Sequence, residues 1–587
     1  MRNILLMTGR HPPVAPVAPV ARVARVARVG GRLGFVAMLG VAACSGQIGS
    51  SATGNGVVVD PNPGTGGTSV VMPVPNGPCS PTASLGSSRI WSLTDAEYVN
   101  AVASLFGVRL PSEVTVPDTQ PADYTNLSEV LTIDSRAAAA YGNAAEVAAA
   151  AAVTANLGVF LPCGMSDGCV TTFIKSRVSR AFRRPLAATE VQDLLALYHN
   201  GLATDGAPTG LRLIIEATLQ SPSFLYRTEL GTSVGGGPAT KVALTPYEVA
   251  SALSFAVLDS IPDDQLWQKA QAGTLVKPEV LKAEVDRLLA IPAVQANLSQ
   301  KAGFWLGVER LHQTEKDSTL FPEWAADIKQ NLYDSARLFV QDIFTKGTMS
   351  DLLSSSRMYV NSNLAKVYGL PGSGLGADLI ARDVALPERS SGILTLPAVL
   401  AGYSRPNRGD PIHRGLFIYN ALICGTDIPP PPADAAAIAA SFPSTASERQ
   451  LAGLRASDSH GCGTCHGLFD PLGLSTERYD PIGRYQASDA SGSIDSSSTL
   501  SAGLGADLAG PISGLPDLVA KLKVGRRVPD CAATNLGVFV LGRSMTGDNS
   551  CAFQSVKDKF VASGGNFLDY YRALLTSPGF LTRDVDK

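Results

Sequence analysis

Cys462-Gly463-Thr464-Cys465-His466 combines residue types and spacing suited to redox chemistry. Two thiols three positions apart, followed directly by an imidazole, form the C-x-x-C-H pattern that attaches a c-type haem. The thiols add to the porphyrin vinyl groups, and the histidine binds the iron from the proximal side. One turn of helix puts all three side chains on the same side of the chain, which is why this spacing works. The chain has 9 cysteines and 6 histidines in 587 residues; chance yields such a pattern in about one chain in a thousand of this composition. A thiol redox pair and half of a zinc site are the other readings of the same residues. Zinc asks for a second Cys/His pair. No other C-x-x-C occurs, and the one H-x(3–5)-H, His460 with His466, overlaps the motif.

A haem here makes demands on the rest of the chain. His466 ligates through Nε2, so its Nδ1–H needs an acceptor. A backbone carbonyl within Asp470-Pro471-Leu472-Gly473 is the expected one, with Pro-Leu-Gly turning the chain back under the ring. Met545 is the only methionine after the motif and lies in a Gly/Asp/Asn-rich stretch. It is the candidate sixth iron ligand, as on the late loop of class I cytochromes c, and it would raise the potential. His413 and His460 compete for the same role, and an open iron face would favour peroxide or small-ligand chemistry. Arg414 and Arg484, with Arg405 and Arg408, are candidate partners for the haem propionates, because a guanidinium fork matches a carboxylate.

The other cysteines bear on compartment. Arg25, Arg28 and Arg32 precede a short apolar run, Leu33–Ala42, and Val41-Ala42-Ala43-Cys44 has the form of a lipobox, with Cys44 acylated. Ordinary signal-peptidase cleavage near Ala43 is the alternative. The anchored chain would face the periplasm or the cell surface, at the outer membrane by sorting analogy, touching the membrane only through its lipid. Setting Cys44, Cys462 and Cys465 aside leaves Cys79, Cys163, Cys169, Cys424, Cys531 and Cys551. An even set in an oxidising compartment predicts three disulfides. Cys163–Cys169 and Cys531–Cys551 are the expected local pairs, which leaves Cys79–Cys424.

The body that must position the motif reads as mainly α, a multidomain helical array with a cytochrome c-like haem domain near the C-terminus. The expected segments are a lipoprotein signal at 1–44, a Gly/Ser/Pro tether at 45–85, helical domains at 86–155, 159–232 and 242–372, the haem domain at 386–500 and a C-terminal helical domain at 510–587. Capping boxes are expected at Thr94/Glu97, Thr245/Glu248 and Thr189/Gln192, with helix ends at Gly107 and Gly201. Met358-Tyr359-Val360 is the best strand signal. The apolar run 144–161 reads as a soluble helix, because it is mostly alanine and carries Glu146. Pro429–Pro432 is expected to form a stiff arm across the haem domain. Leu219-Gln220-Ser221-Pro222-Ser223-Phe224-Leu225-Tyr226-Arg227 is echoed by Leu575-Thr576-Ser577-Pro578-Gly579-Phe580-Leu581-Thr582-Arg583, as a duplicated unit or a recurrent turn.

The net charge of −3 and the lack of a basic block past the N-terminus exclude a nucleic-acid binder. His-Glu-x-x-His and P-loop patterns are absent. The one Gly-x-Ser-x-Gly, Gly231–Gly235, lies in a glycine-rich break and reads as linker, not as a nucleophile elbow.

The order of short motifs is itself informative. Leu93-Thr94-x-x-Glu97-Tyr98 is followed by Arg180-Ala181-Phe182-Arg183-Arg184-Pro185-Leu186 and Ser221-Pro222-x-Phe224-Leu225-Tyr226-Arg227. Then come Glu248–Ser254, Asn361-x-x-Leu364-Ala365-x-x-Tyr368-Gly369, Arg414-Gly415 and the prolines. Cys462-x-x-Cys465-His466-x-x-x-Asp470-Pro471-Leu472-Gly473, Glu477-x-x-Asp480-x-x-Gly483-Arg484 and Leu541-Gly542-Arg543 complete the set. This succession resembles the planctomycete-type cytochrome-like lipoproteins, also found in myxobacteria, over about residues 89–583. That family joins serial domains of unknown function to one c-type cytochrome-like domain. The resemblance implies a haem c protein outside the cytoplasm with helical companion domains. It supplies a class and no reaction. One position departs. Related sequences often carry a histidine six or seven residues before the first haem cysteine, where this chain has Arg455-Ala456. The expected function is one-electron transfer with an unidentified redox partner in the cell envelope, a carrier rather than a defined catalyst. A haem-dependent or degradative envelope enzyme, and a surface binding or scaffold lipoprotein, are the alternatives.

Overall fold

Two capping boxes open the two halves of the structure. Thr94 Oγ1 accepts from the Glu97 amide (3.1 Å) while Glu97 Oε2 accepts from the Thr94 amide (3.0 Å), and the helix Asp95–Phe106 follows, ending at Gly107 with φ +69°. Thr245 and Glu248 repeat the arrangement at 3.2 and 2.8 Å, with Pro246 opening the helix Pro246–Leu258. Each box satisfies two amides that a helix start leaves unbonded. The computed structural model describes residues 84–111, 126–128, 131–233, 240–384, 386–426, 428–443, 446–457, 461–489, 492–544 and 549–585. The expected signal segment with Cys44, the expected tether up to residue 83 with Cys79, and His460 and Met545 lie outside them, as does the side chain of Cys551.

A short strand precedes each box, and each pairs antiparallel with a strand that follows a Ser-Pro turn. Arg89–Ser92 pairs with Tyr226–Glu229, and Lys241–Ala243 pairs with Thr582–Asp584. The echoed nonapeptides are therefore equivalent in structure. Ser221 and Ser577 each cap a one-turn helix, the chain then turns into a strand, and the arginines Arg227 and Arg583 oppose Trp91 and Val242. Leu93 donates to the Leu225 carbonyl (2.8 Å) just as Leu244 donates to that of Leu581 (2.9 Å). Each module thus begins at a capped strand and is closed by its own Ser-Pro strand. The C-x-x-C-H stretch lies between the opening and the closing of the second module.

Among the described residues there are 23 α-helices and only short strands, so the chain is mainly α. Buried apolar side chains from residues 93–261 make one core; Leu85 and residues 244–580 make another. Ser84 and Leu85, at the end of the stretch expected as tether, are each 1% exposed. The helix Ser135–Phe160 is long and apolar enough to cross a membrane by length and composition. It instead turns Tyr141, Ala144, Ala145, Ala148, Ala149 and Ala152 into the first core, where alanine lets the helix Ala207–Gln220 pack closely.

Several local expectations are corrected. The third capping box does not form: the helix Ala188–Asp205 starts after Ala187, whose methyl side chain cannot accept, so only the Ala187 amide donating to Glu190 (2.8 Å) remains, and the helix runs through Gly201. Thr232-Ser233 is a strand on the Lys241–Ala243 edge rather than linker. The prolines 429–432 are exposed and irregular, a spacer rather than an arm packed on the core. The strand Arg357–Val360 forms as expected, paired with Ile380–Asp383.

Cys163 and Cys169 form the expected local disulfide. The second disulfide is Cys424–Cys531, in place of Cys531–Cys551 and Cys79–Cys424. The end of the segment Ile418–Leu422 packs on the helix Arg527–Leu541, and the Cys531 sulfur lies 3.4 Å from the Ala421 carbonyl. This bond closes a loop of 107 residues around the C-x-x-C-H motif. A loop of that length restricts the unfolded chain enough to stabilise the fold by up to about 4–5 kcal/mol. The double variant Cys424→Ala, Cys531→Ala should therefore lose about 3–4 kcal/mol in denaturant unfolding; an unchanged midpoint would contradict this.

Candidate functional site

The motif occupies the start of the helix Gly463–Leu474, with Cys462 at its N-cap position. Neither Cys462 nor Cys465 is in a disulfide, whereas Cys163, Cys169, Cys424 and Cys531 all are. Both motif thiols are part-exposed, and the His466 side chain is 24% exposed. Among the described residues no group of three or more His, Cys, Asp or Glu side chains is arranged to hold a metal ion, so the zinc reading finds no further ligands there.

Two glycines place this helix. A Cβ on Gly415 would sit 2.0 Å from the Phe469 carbonyl oxygen, and one on Gly473 would sit 1.8 Å from that of Pro411. The helix Pro411–Phe417 therefore crosses the motif helix backbone to backbone, a contact that any side chain would prevent. This accounts for Arg414-Gly415 and for the glycine of Asp470-Pro471-Leu472-Gly473. Pro471 lies inside the motif helix, so Pro-Leu-Gly is not the turn expected from sequence.

The acceptor for His466 is also not a backbone carbonyl. His466 Nδ1 lies 3.1 Å from Asp470 Oδ1, one helical turn on, and Arg455 Nε donates to Asp470 Oδ2 at 2.8 Å. Asp470 is 3% exposed and Arg455 8%. With Nδ1 so engaged, Nε2 is the nitrogen left for a metal.

The proposed propionate arginines have other work. All five Arg414 N–H groups are engaged, by the carbonyls of Leu400, Thr476, Tyr479 and Asp480 and by Ser404 Oγ. Burial pulls its guanidinium down to about 10. Arg414 thus fastens the motif helix and the loop after it to Leu400, with no donor left for a propionate. Arg484 pairs with Asp480 (2.6 Å) and with Glu323. Asp480 also accepts from the amides of Ile482 and Arg484, so the Glu477-to-Arg484 motif is a turn-locking device. Arg405 pairs with Asp410 and Arg408 with Glu448, both at 3.0 Å. His413 Nδ1 lies 2.7 Å from Asp410 Oδ2. Burial would raise the Asp410 carboxyl, but His413 and Arg405 outweigh it and hold it near about 2.

Sequence reasoning passed over Glu477 as a titrating group. Burial pushes its carboxyl up to about 7, against the pull of Arg414 and with the help of Glu448. A folded-state pKa above the ordinary 4.5 means its contribution is fully present below pH 4.5 and lost as pH rises through about 7. Glu477→Gln, neutral at every pH, should match the wild type at about pH 4 and exceed it at about pH 8 by on the order of 2 kcal/mol. Urea unfolding at the two pH values measures this; an offset independent of pH would refute it.

Comparison with known families gives four matches in series. Residues 92–154 match PSD3, a protein of unknown function (DUF1587), and 169–229 match PSD5 (DUF1595). Residues 244–370 match PSD4 (DUF1592), and 390–489 match PSCyt3 (DUF1588), both also of unknown function. Four serial domains of these families make up most of the chain. The first two fill the first module, from its capping box to its Ser-Pro strand. The C-x-x-C-H stretch falls inside the PSCyt3 match. No curated protein and no solved structure matches the chain.

Proposed function

We propose that this protein carries one covalent c-type haem on Cys462, Cys465 and His466 and passes single electrons at the cell envelope. The carrying observation is the pair of thiols on one helical turn, outside any disulfide, in a chain whose four other described disulfide-forming cysteines are all paired. His466 fits the proximal role because its Nδ1 is already bonded and its Nε2 is left for a metal. The PSCyt3 name points to a cytochrome-like domain at the same residues. When bound, the haem supplies a one-electron iron couple. The chain's own residues hold it in place: the thiols fix it covalently, the Gly415–Gly473 crossing and Arg414 fix the helix that bears them, and Asp470 orients the imidazole.

The two disulfides suit an oxidising compartment. Export by the Leu33–Ala42 signal, lipid on Cys44 and a redox partner at the envelope belong to the same proposal. A pyridine haemochrome spectrum of the mature chain, exported in a host that matures haem c, tests it. A c-type spectrum that survives acid-acetone extraction, at about one haem per chain, is expected. Folded protein without haem would overturn the proposal.

A further inference from the structure

We infer that Asp470 and Arg455 are positioning residues that set the electron-donating strength of His466 in opposite directions. The inference rests on the haem reading above. A histidine that ligates a metal through Nε2 becomes a stronger donor as the acceptor at Nδ1 pulls harder on its proton. A carbonyl, the acceptor expected from sequence, is a neutral dipole. Asp470 is a buried carboxylate 3.1 Å from Nδ1, where its charge is screened less than that of a surface carboxylate. It therefore favours the oxidised iron and lowers the reduction potential.

Arg455 acts against that pull. Its Nε donates to the other Asp470 oxygen at 2.8 Å, so it holds the carboxylate in register and neutralises part of its charge. It comes from a different helix, Glu448–Ser457, packed on the motif helix where a Cβ on Gly463 would meet the Ala456 carbonyl oxygen at 2.5 Å. The bond thus couples two elements and is not a local turn contact. Arg455 Nη2 is buried without a hydrogen-bond partner among the described residues, and the guanidinium also lies in the field of Glu448.

A purely structural ion pair would give both removals the same sign or none. The test is potentiometry of the haem-loaded wild type, Asp470→Asn and Arg455→Gln, each first checked for about one haem per chain by haemochrome spectrum. Asp470→Asn should raise the midpoint, with roughly a tenfold shift in the ratio of oxidised to reduced iron at a fixed potential, about 59 mV for a one-electron couple. Arg455→Gln should lower it, by roughly threefold in the same ratio. Shifts of the same sign, or none, would overturn the inference. Should either variant fail to load haem, proton NMR of the reduced wild type decides. A slowly exchanging, strongly downfield Nδ1 proton on His466 supports a carboxylate acceptor, and an ordinary imidazole signal refutes it. Wild type without haem would count against the haem proposal itself, which separates the two failures.

Discussion

The double variant Cys462→Ala, Cys465→Ala, exported and matured beside the wild type, is expected to retain essentially no covalent haem against about one per chain for the parent. Both thioether bonds need these sulfurs, and Cys163, Cys169, Cys424 and Cys531 are already bonded in disulfides. The fold should survive. Both side chains sit on the part-exposed first turn of the motif helix. Alanine is the strongest helix former, so the haem-free stability should change by less than about 1 kcal/mol. His466→Ala separates attachment from ligation: thioether bonds can still form, while the low-spin spectrum of a histidine-ligated iron disappears. Acid-acetone extraction, absorption spectra and far-ultraviolet circular dichroism read all three. Haem surviving extraction from the double variant would remove the basis of the functional reading.

Glu229→Gln is expected to be the most destabilising single change of charge in the chain. Glu229 is 3% exposed, and its Oε2 faces Arg583 (2.7 Å), Arg89 (3.2 Å) and Arg543 (3.7 Å). Those three arginines come from the two ends of the described chain and from the end of the helix Arg527–Leu541. Burial alone would raise the Glu229 carboxyl, but the guanidiniums outweigh it and hold it far below the usual carboxylate range. Glutamine keeps the shape and removes the charge, leaving three buried cations without a counter-ion. Breaking such a buried arrangement costs about 3–5 kcal/mol. The sign of the pH dependence follows from the lowered pKa: the contribution is fully present above the unfolded value of about 4.3 and is lost as pH falls below it. Urea unfolding should show a gap between wild type and variant that is largest at neutral pH and narrows toward pH 3. A constant gap would mean that the charge is not what stabilises this junction.

The capping-box glutamate of the first module shows why the count of arginines matters. Glu97 meets a single arginine, Arg227, at 2.8 Å, and burial leaves its carboxyl raised. The two modules share a backbone plan, from capped strand to Ser-Pro strand, and Glu229 on the first module's closing strand gathers Arg89 of that module together with Arg543 and Arg583 of the second. The echoed Ser-Pro nonapeptides made the plan visible in the sequence. Which strand each would close against was not visible, because that pairing is made between residues far apart in the chain.

Features that depend on neighbours within one or two turns were legible in the sequence alone. Thr94 with Glu97 and Thr245 with Glu248 cap helices because their side chains reach only their own first-turn amides. Cys462, Cys465 and His466 share one helical start because three-residue spacing and helical geometry require it. Cys163 and Cys169, six residues apart, had few other partners within reach. The tertiary structure decided the rest. It joined Cys424 to Cys531 across 107 residues, where sequence favoured the nearer Cys551. It gave Arg414 to backbone carbonyls of two packed segments, where composition suggested an anionic ligand. It brought Arg455 from another helix onto Asp470 and so turned His466's acceptor into a held carboxylate. Local hydrogen bonds are set by spacing along the chain. Buried charges and distant cysteines take whichever partner the packed core brings within about 3 Å or forces to a shared position, and no spacing in the sequence encodes that.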